Sequence, residues 1–194
     1  MKTQVIKELE NPCTNDYLNF KKEVHGNELP WYYLQKTIKA THISGQPIMD
    51  FSQDEDIPFY GHQLMGRPDK LGGEPYSKIT SPWFEKAYTV LKQIFTHNKM
   101  EVSVIYRMNL NAMFFVPTQI TKSIFHTDLE FPHQSLIIYL SKFEGGHLYV
   151  KNDTEEMEFS PQEDEIFLFN GRLQHSVGLP QGKERRIVMV ANIL

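Results

Sequence analysis

A series of short β-like segments separated by turn residues fills the second half of this 194-residue chain and limits its possible folds. These segments are rich in β-branched and aromatic residues, which favour strands, and glycine, proline or Asn-Asp separates them. Short strands at this spacing are typical of a β sandwich or jelly roll. The predicted strands are residues 102–115, 120–126, 135–140, 147–150, 157–159, 165–169 and 186–193.

The first hundred residues carry helical signals instead. Residues 14–24 predict a short helix, and Ser81-Pro82 opens a stronger one, because proline fits the first helical turn. The apolar residues of this second helix recur at helical spacing and form one stripe, which must pack against another element. We therefore expect the helices to cover one sheet from outside. The stripe consists of Phe84, Ala87, Tyr88, Leu91, Ile94 and Phe95.

Between the two predicted helices, glycine and proline repeatedly interrupt residues 44–78. This pattern predicts a long loop around one short strand near residues 59–65. Two interpretations of the loop stay open. It is either a lid that closes over a substrate or a surface connection without a role of its own.

Composition excludes several classes of protein. Apolar residues make up 40% and charged residues 23% of the chain, as in ordinary globular proteins, and the sequence contains no apolar run long enough for a membrane span or signal peptide. A formal net charge of -4 without a basic stripe disfavours a nucleic-acid partner. The one cysteine, Cys13, cannot form an internal disulfide, so we expect a cytoplasmic protein.

Two candidate metal ligands stand close together in the triplet His126-Thr127-Asp128. On an extended strand, positions i and i+2 project from the same face about 7 Å apart, so both side chains can reach one ion. His175 is a third candidate, since a jelly roll places strands that are distant in sequence side by side. Two imidazoles and one carboxylate leave positions open for a co-substrate and dioxygen on Fe(II), whereas a structural zinc site would be closed by a fourth protein ligand.

The last predicted strand contains a charged residue that needs a partner. Strand alternation places Arg186, Val188 and Val190 on one face of this segment. A buried guanidinium is costly unless it meets a carboxylate, which its planar fork matches in bidentate fashion. If no acidic residue of the protein lies there, a bound dicarboxylic acid can supply the partner.

Five motifs in the second half of the chain form a recognisable set: HTD at 126–128, IIYL at 137–140, FEGGHLYV at 143–150, FLFN at 167–170 leading into His175, and RRIVMVANIL at 185–194. Together they resemble the Fe(II)- and 2-oxoglutarate-dependent oxygenases, specifically the prolyl 4-hydroxylase-like branch and its small members encoded by bacterial viruses. The double-stranded β-helix of that family is a jelly roll. The resemblance thus implies a mainly β protein with flanking helices. It further implies one domain over residues 1–194, with a helical and lid region at 1–100 and a jelly-roll catalytic core at 101–194.

The resemblance also implies site residues. His126, Asp128 and His175 match the iron ligands, and Arg186 resembles the residue that pairs with the distal carboxylate of 2-oxoglutarate. Arg185 stands at the spacing from the distal histidine that is commoner in the family. We prefer Arg186 because its strand register matches the family's last strand, which would turn Arg185 towards solvent or the helical layer.

Two further co-substrate contacts follow from the same resemblance. Tyr139 matches the tyrosine that commonly donates its hydroxyl to the distal carboxylate, with a hydrogen-bonded core aromatic as the alternative interpretation. Asn111 falls where a strand residue often contacts the other end of the co-substrate, although an asparagine in a strand is as often an internal hydrogen-bonding residue.

The function implied is hydroxylation of a substrate C–H bond with Fe(II), 2-oxoglutarate and dioxygen, releasing succinate and CO₂. A protein residue such as proline is the substrate that the branch suggests, and a free amino acid or other small molecule is the alternative. A hypothesis from a different class is a jelly-roll binding or structural module that keeps the fold without oxidative chemistry. For a member encoded by a bacterial virus, the expected location is the host cytoplasm.

Overall fold

The computed structural model describes residues 5–34, 57–67, 76–152 and 155–194. Within these ranges the chain forms two helices and thirteen strands. In chain order they are β1 (Ile6–Leu9), α1 (Asn15–His25), β2 (Tyr32–Leu34), β3 (Phe59–Gly66), β4 (Lys78–Ile79), α2 (Phe84–His97), β5 (Ile105–Met113), β6 (Gln134–Tyr139), β7 (Glu144–Gly145), β8 (Leu148–Lys151), β9 (Glu156–Phe159), β10 (Ile166–Asn170), β11 (Gln174–Val177), β12 (Pro180–Gln181) and β13 (Arg186–Ile193).

The strands form two facing layers. The large antiparallel sheet has the order β1-β10-β6-β13-β5-β3-β2, with β4 paired to β3, while β11-β8-β9 and β12-β7 form smaller sheets. One apolar cluster joins Ile137, Tyr139 and Val188 of the large sheet to Leu148 and Val150 of β8. This double layer of antiparallel strands confirms the predicted jelly roll.

Both helices cover the other face of the large sheet, as predicted. The helix α1 begins after Thr14, whose hydroxyl accepts a hydrogen bond from the backbone N–H of Tyr17 and so caps the helix. The helix α2 follows Pro82 and buries most of its predicted apolar stripe. These helical residues share one core with Ile138 of β6 and Met189 of β13.

The side chains of the central strand β13 alternate between the two faces of the large sheet. It pairs with β5 on one side and β6 on the other. Ile187, Met189 and Ala191 face the helices, whereas Val188 and Val190 face the smaller sheet. Arg186 and Asn192 share the second face and lie about 20 Å apart along the strand.

Some elements differ from the sequence prediction. Residues 120–126 form no continuous strand; they contribute isolated bridges at Lys122, with Gly178, and at His126, with His175. The prediction was wrong because local β propensity gives no information on how much of a segment finds a pairing partner. The first half of the chain also supplies β1, β2 and β4, which the sequence did not indicate, beside the predicted β3.

Most of the predicted loop at residues 44–78 lies outside the described residues, and the lid interpretation stays a prediction. In the described part of the chain, no helix combines the length and apolar character needed to cross a membrane.

Candidate metal centre

The two histidines and the aspartate of the predicted ligand set meet at one point. The ligand atoms of His126, Asp128 and His175 all lie within 4.8 Å of one another. His126 and His175 form an antiparallel bridge, with N···O distances of 3.0 and 2.8 Å, and their ring centres are 4.5 Å apart. The Nε2 atom of His175 lies 3.9 Å from Oδ2 of Asp128. The convergence therefore depends on a backbone bridge between two segments that are distant in sequence.

The ionisation states of this cluster suit metal binding. Burial alone would raise the pKa of Asp128, but the positive charge of Arg107 holds it well below its usual range. Burial lowers the pKa of His175 to about 4, although the Asp128 carboxylate acts in the opposite direction. At neutral pH the site thus contains a charged carboxylate and a neutral imidazole, which are the forms that bind metals.

The donor set fits Fe(II). Nδ1 of His126 lies 3.0 Å from the carbonyl oxygen of Ile124, which leaves Nε2 of that ring for a ligand. Nδ1 of His175 is buried without a hydrogen-bond partner among the described residues. Within the same residues the group has three ligands and no fourth. Two imidazoles and one carboxylate with open positions are the arrangement of non-haem Fe(II) oxygenases, whereas structural zinc sites have four protein ligands.

Arg186 lies inside the jelly roll and Arg185 outside it. Arg186 is only 3% exposed, and its guanidinium carbon lies 5.2 Å from the ring centre of Tyr139 and 5.7 Å from that of Phe143. Its Nε atom has no hydrogen-bond partner, and no ion pair with a carboxylate is found for it among the described residues. Arg185 instead donates a hydrogen bond of 2.9 Å to the carbonyl oxygen of His25, at the end of α1. Within the described ranges, Arg186 is therefore a buried cation without an acidic partner.

Tyr139 lies beside this arginine. The side chain is fully buried, and its hydroxyl has no hydrogen-bond partner in the described part of the chain. Burial raises the pKa of Tyr139 to about 12, while the charge of Arg186 acts in the opposite direction. The phenol thus stays protonated at neutral pH and can donate a hydrogen bond. The contact of Tyr139 with a co-substrate stays a prediction.

Asn111 lies on β5, directly opposite Val188 of β13 and Gly61 of β3. By strand alternation it shares the face of the sheet that carries Arg186. Its side chain is half-buried, and its contact with a co-substrate stays a prediction.

Three residues that were not predicted from the sequence hold Asp128 in place. Nη1 of Arg107 lies 2.6 Å from its Oδ1, and Nδ2 of Asn192 lies 3.0 Å from its Oδ2. Nη1 of Arg67 donates a 2.9 Å hydrogen bond to its backbone oxygen. One signal was present in the sequence, because polar residues alternate with apolar ones along β5, and Arg107 begins that series.

No family model matches the sequence, and no curated protein is significantly similar to it. Several solved structures are similar to this chain in fold. A Burkholderia pseudomallei oxidoreductase of the 2OG-Fe(II) oxygenase family matches with a TM-score of 0.67 and 14% identity, over 97% of this chain and 84% of that chain. A Trichoplax adhaerens prolyl hydroxylase, in complex with a hypoxia inducible factor peptide fragment, matches with a TM-score of 0.57 and 13% identity, over 99% and 84%.

A third similar structure is a non-haem α-ketoglutarate-dependent epimerase from nogalamycin biosynthesis. It matches with a TM-score of 0.59 and 10% identity, over 98% of this chain and 78% of that chain. At these identities the likeness concerns the fold. The chain therefore has the jelly-roll fold of the 2-oxoglutarate-dependent oxygenases.

Proposed function

We propose that this protein is an Fe(II)- and 2-oxoglutarate-dependent dioxygenase that hydroxylates a C–H bond of its substrate. The observation that carries the proposal is the meeting of His126, Asp128 and His175, without a fourth described ligand, inside this fold. These three residues would hold Fe(II). When bound, the metal and 2-oxoglutarate supply the oxidation of a C–H bond by dioxygen, with conversion of 2-oxoglutarate to succinate and CO₂.

Arg186, at the start of β13, and Tyr139, at the end of β6, would bind the co-substrate. Among the described residues, the buried Arg186 has no acidic partner and the buried hydroxyl of Tyr139 has no acceptor. A carboxylate placed between them would satisfy both groups, because the guanidinium fork and the hydroxyl both donate to carboxylate oxygens. Val188 and Ile137 keep this face apolar and limit the access of water. We propose Asn111 as a further contact to the co-substrate.

We propose a protein residue such as proline as the substrate. The motifs at 126–128 and 185–194 resemble the prolyl 4-hydroxylase-like branch, and the Trichoplax neighbour is in complex with a peptide. A small molecule is the alternative, which the epimerase from nogalamycin biosynthesis illustrates for this fold. We also propose that residues 1–194 act as one domain, since β1 and β3 extend the sheet that contains β13. The one cysteine supports a cytoplasmic location, including a host cytoplasm for a protein of viral origin.

Anaerobic titration with Fe(II) and 2-oxoglutarate tests the proposal. The purified protein is expected to develop the weak visible charge-transfer band of an iron-bound 2-oxo acid, and His175→Ala is expected to abolish it. His147→Ala is the matched control, because His147 is partly exposed and pairs with Glu158 at 2.8 Å, outside the cluster.

Succinate release, measured in parallel with prolyl peptides and free amino acids, then identifies the substrate class. Absence of both the band and succinate release would favour the non-catalytic binding module. A band with turnover only on small molecules would refute the protein substrate and retain the oxygenase.

A further inference from the structure

We propose that Arg107 is a positioning residue that fixes the carboxylate of Asp128 so that its Oδ2 atom faces the metal. The inference rests on the proposed function, since it concerns the same centre. It assigns a role to a strand residue that is not one of the three ligands.

Arg107 belongs to a polar row that crosses three neighbouring strands. Arg107 on β5 lies directly opposite Asn192 on β13, and Asn192 lies directly opposite Ser135 on β6. Side chains in such cross-strand positions are about 5 Å apart at Cβ. Asn192 and Ser135 are fully buried, and Nδ2 of Asn192 lies 3.2 Å from Oγ of Ser135. The row is thus an ordered part of the sheet, and two of its members, Arg107 and Asn192, bind the carboxylate of Asp128.

The two carboxylate oxygens of Asp128 are held differently. Oδ1 accepts a charge-assisted hydrogen bond of 2.6 Å from Nη1 of Arg107. Oδ2 accepts a longer bond of 3.0 Å from the neutral amide of Asn192 and lies 3.9 Å from Nε2 of His175. Bonds from a charged donor are roughly twice as strong as neutral ones. The arginine therefore occupies Oδ1 and leaves Oδ2, beside the histidine, as the oxygen for the metal.

Arg107 is itself held in place from its own strand. Asn109 is two residues further along β5, on the same face. With its amide oxygen turned towards the guanidinium, Asn109 accepts from Nε at 3.0 Å and from Nη2 at 2.7 Å. Three nitrogens of Arg107 thus have defined partners, and its side chain is only 22% exposed. A guanidinium fixed in this way can orient the carboxylate that it binds.

Charge and orientation predict opposite effects on metal affinity. At a pH at which Asp128 is ionised in both the wild type and the variant, a positive charge next to a ligand disfavours a divalent cation, so a purely electrostatic arginine would weaken metal binding. A positioning arginine strengthens binding, because it prevents the buried carboxylate from rotating away. Loss of such a supporting contact typically weakens metal affinity about 10- to 100-fold. The sign of the change therefore distinguishes the two roles.

Anaerobic Co(II) titration, followed by the visible absorption bands of the bound ion, tests the inference. Arg107→Met is expected to weaken Co(II) binding about 10- to 100-fold and to change the band intensities, and Arg107→Lys is expected to recover part of the affinity. Asn109→Ala is expected to weaken Co(II) binding by a smaller factor, since it acts through Arg107. This variant tests the inference if Arg107→Met does not fold. Arg172→Met is the control, because Arg172 is exposed, and its affinity is expected to stay within about twofold of the wild type.

Unchanged or tighter Co(II) binding by Arg107→Met, or by Asn109→Ala if only that variant folds, would overturn the positioning role and leave the proposed function intact. If the wild type shows no Co(II) binding that depends on His175, the proposed function fails, and this inference fails with it.

Discussion

Substitution of Gly146 by alanine tests the co-substrate site through a contact that only glycine permits. Gly146 has φ of +60°, and a Cβ atom there would lie 2.8 Å from Cδ of Arg186 and 3.1 Å from Cδ2 of Phe143. Real Cβ atoms essentially never approach another heavy atom so closely, so the arginine stem must move. The guanidinium beyond Cδ moves with it, away from the position where the co-substrate carboxylate would bind.

The expected loss of affinity for 2-oxoglutarate can be estimated from one hydrogen bond. A hydrogen bond to a charged group contributes about 1.5–3 kcal/mol, so displacement of one Arg186 donor predicts a rise of about 10- to 100-fold in the Kd of 2-oxoglutarate. The left-handed backbone adds a cost in stability of about 1–2 kcal/mol for alanine. Calorimetric titration of the metal-loaded protein with 2-oxoglutarate measures the first effect, and urea unfolding measures the second.

Gly182→Ala separates the two effects. Gly182 has φ of +81°, but its nearest neighbour to a Cβ atom is Oε2 of Glu144 at 3.4 Å, an ordinary contact. This variant is expected to lose similar stability and to keep its affinity for 2-oxoglutarate. Equal affinities of the Gly146 and Gly182 variants would refute the assignment of Arg186 to the co-substrate.

Three other predictions concern neighbouring features. Arg186→Met is expected to weaken 2-oxoglutarate binding at least tenfold without loss of metal affinity, and Arg185→Met to change neither, in calorimetric titrations of both variants. Tyr17→Phe removes the hydroxyl that donates to Asp164 and is expected to lower the free energy of unfolding by about 1 kcal/mol in urea, since Lys21 still binds that carboxylate. The His175 side chain has an ordinary pKa of about 6.5 in the unfolded chain and a pKa of about 4 in the folded chain. Because the unfolded chain therefore binds this proton first as the pH falls, the metal-free protein is expected to lose about 2 kcal/mol of stability between about pH 7.5 and pH 5. His175→Gln is expected to remove this part of the pH dependence, and an unchanged slope would contradict it.

The elements that the sequence predicted well are those whose signals are local. Thr14 precedes α1 as a capping residue, and the apolar stripe of α2 has helical spacing within one segment. The strand β13 matches its predicted bounds, since apolar β formers run without interruption from Ile187 to Val190 and the strand ends at Ile193. Such patterns depend on a few consecutive residues, and no knowledge of the rest of the fold is needed to interpret them.

The features that could not be predicted depend on pairing between distant strands. Arg107, Asn192 and Ser135 are polar residues in three different strands, and only the register of β5, β13 and β6 places them in one row. The sequence shows that Arg107 alternates with apolar neighbours, but it does not show which residue lies opposite. The edge strand β1 was missed for the same reason, because its pairing with β10 joins residues far apart in the chain.

The strand β13 contributes side chains both to the core that stabilises this fold and to the proposed site. Its Ile187, Met189 and Ala191 side chains belong to the core beneath the helices, so they fix which residues face the other way. Arg186 and Asn192 lie on that other face, at the two ends of the strand. A slip of one residue would turn Arg186 towards the helices and remove Asn192 from Asp128, at the same time as it exposed the core residues. The packing that makes this register stable therefore also sets the positions of the co-substrate end and the metal end of the site.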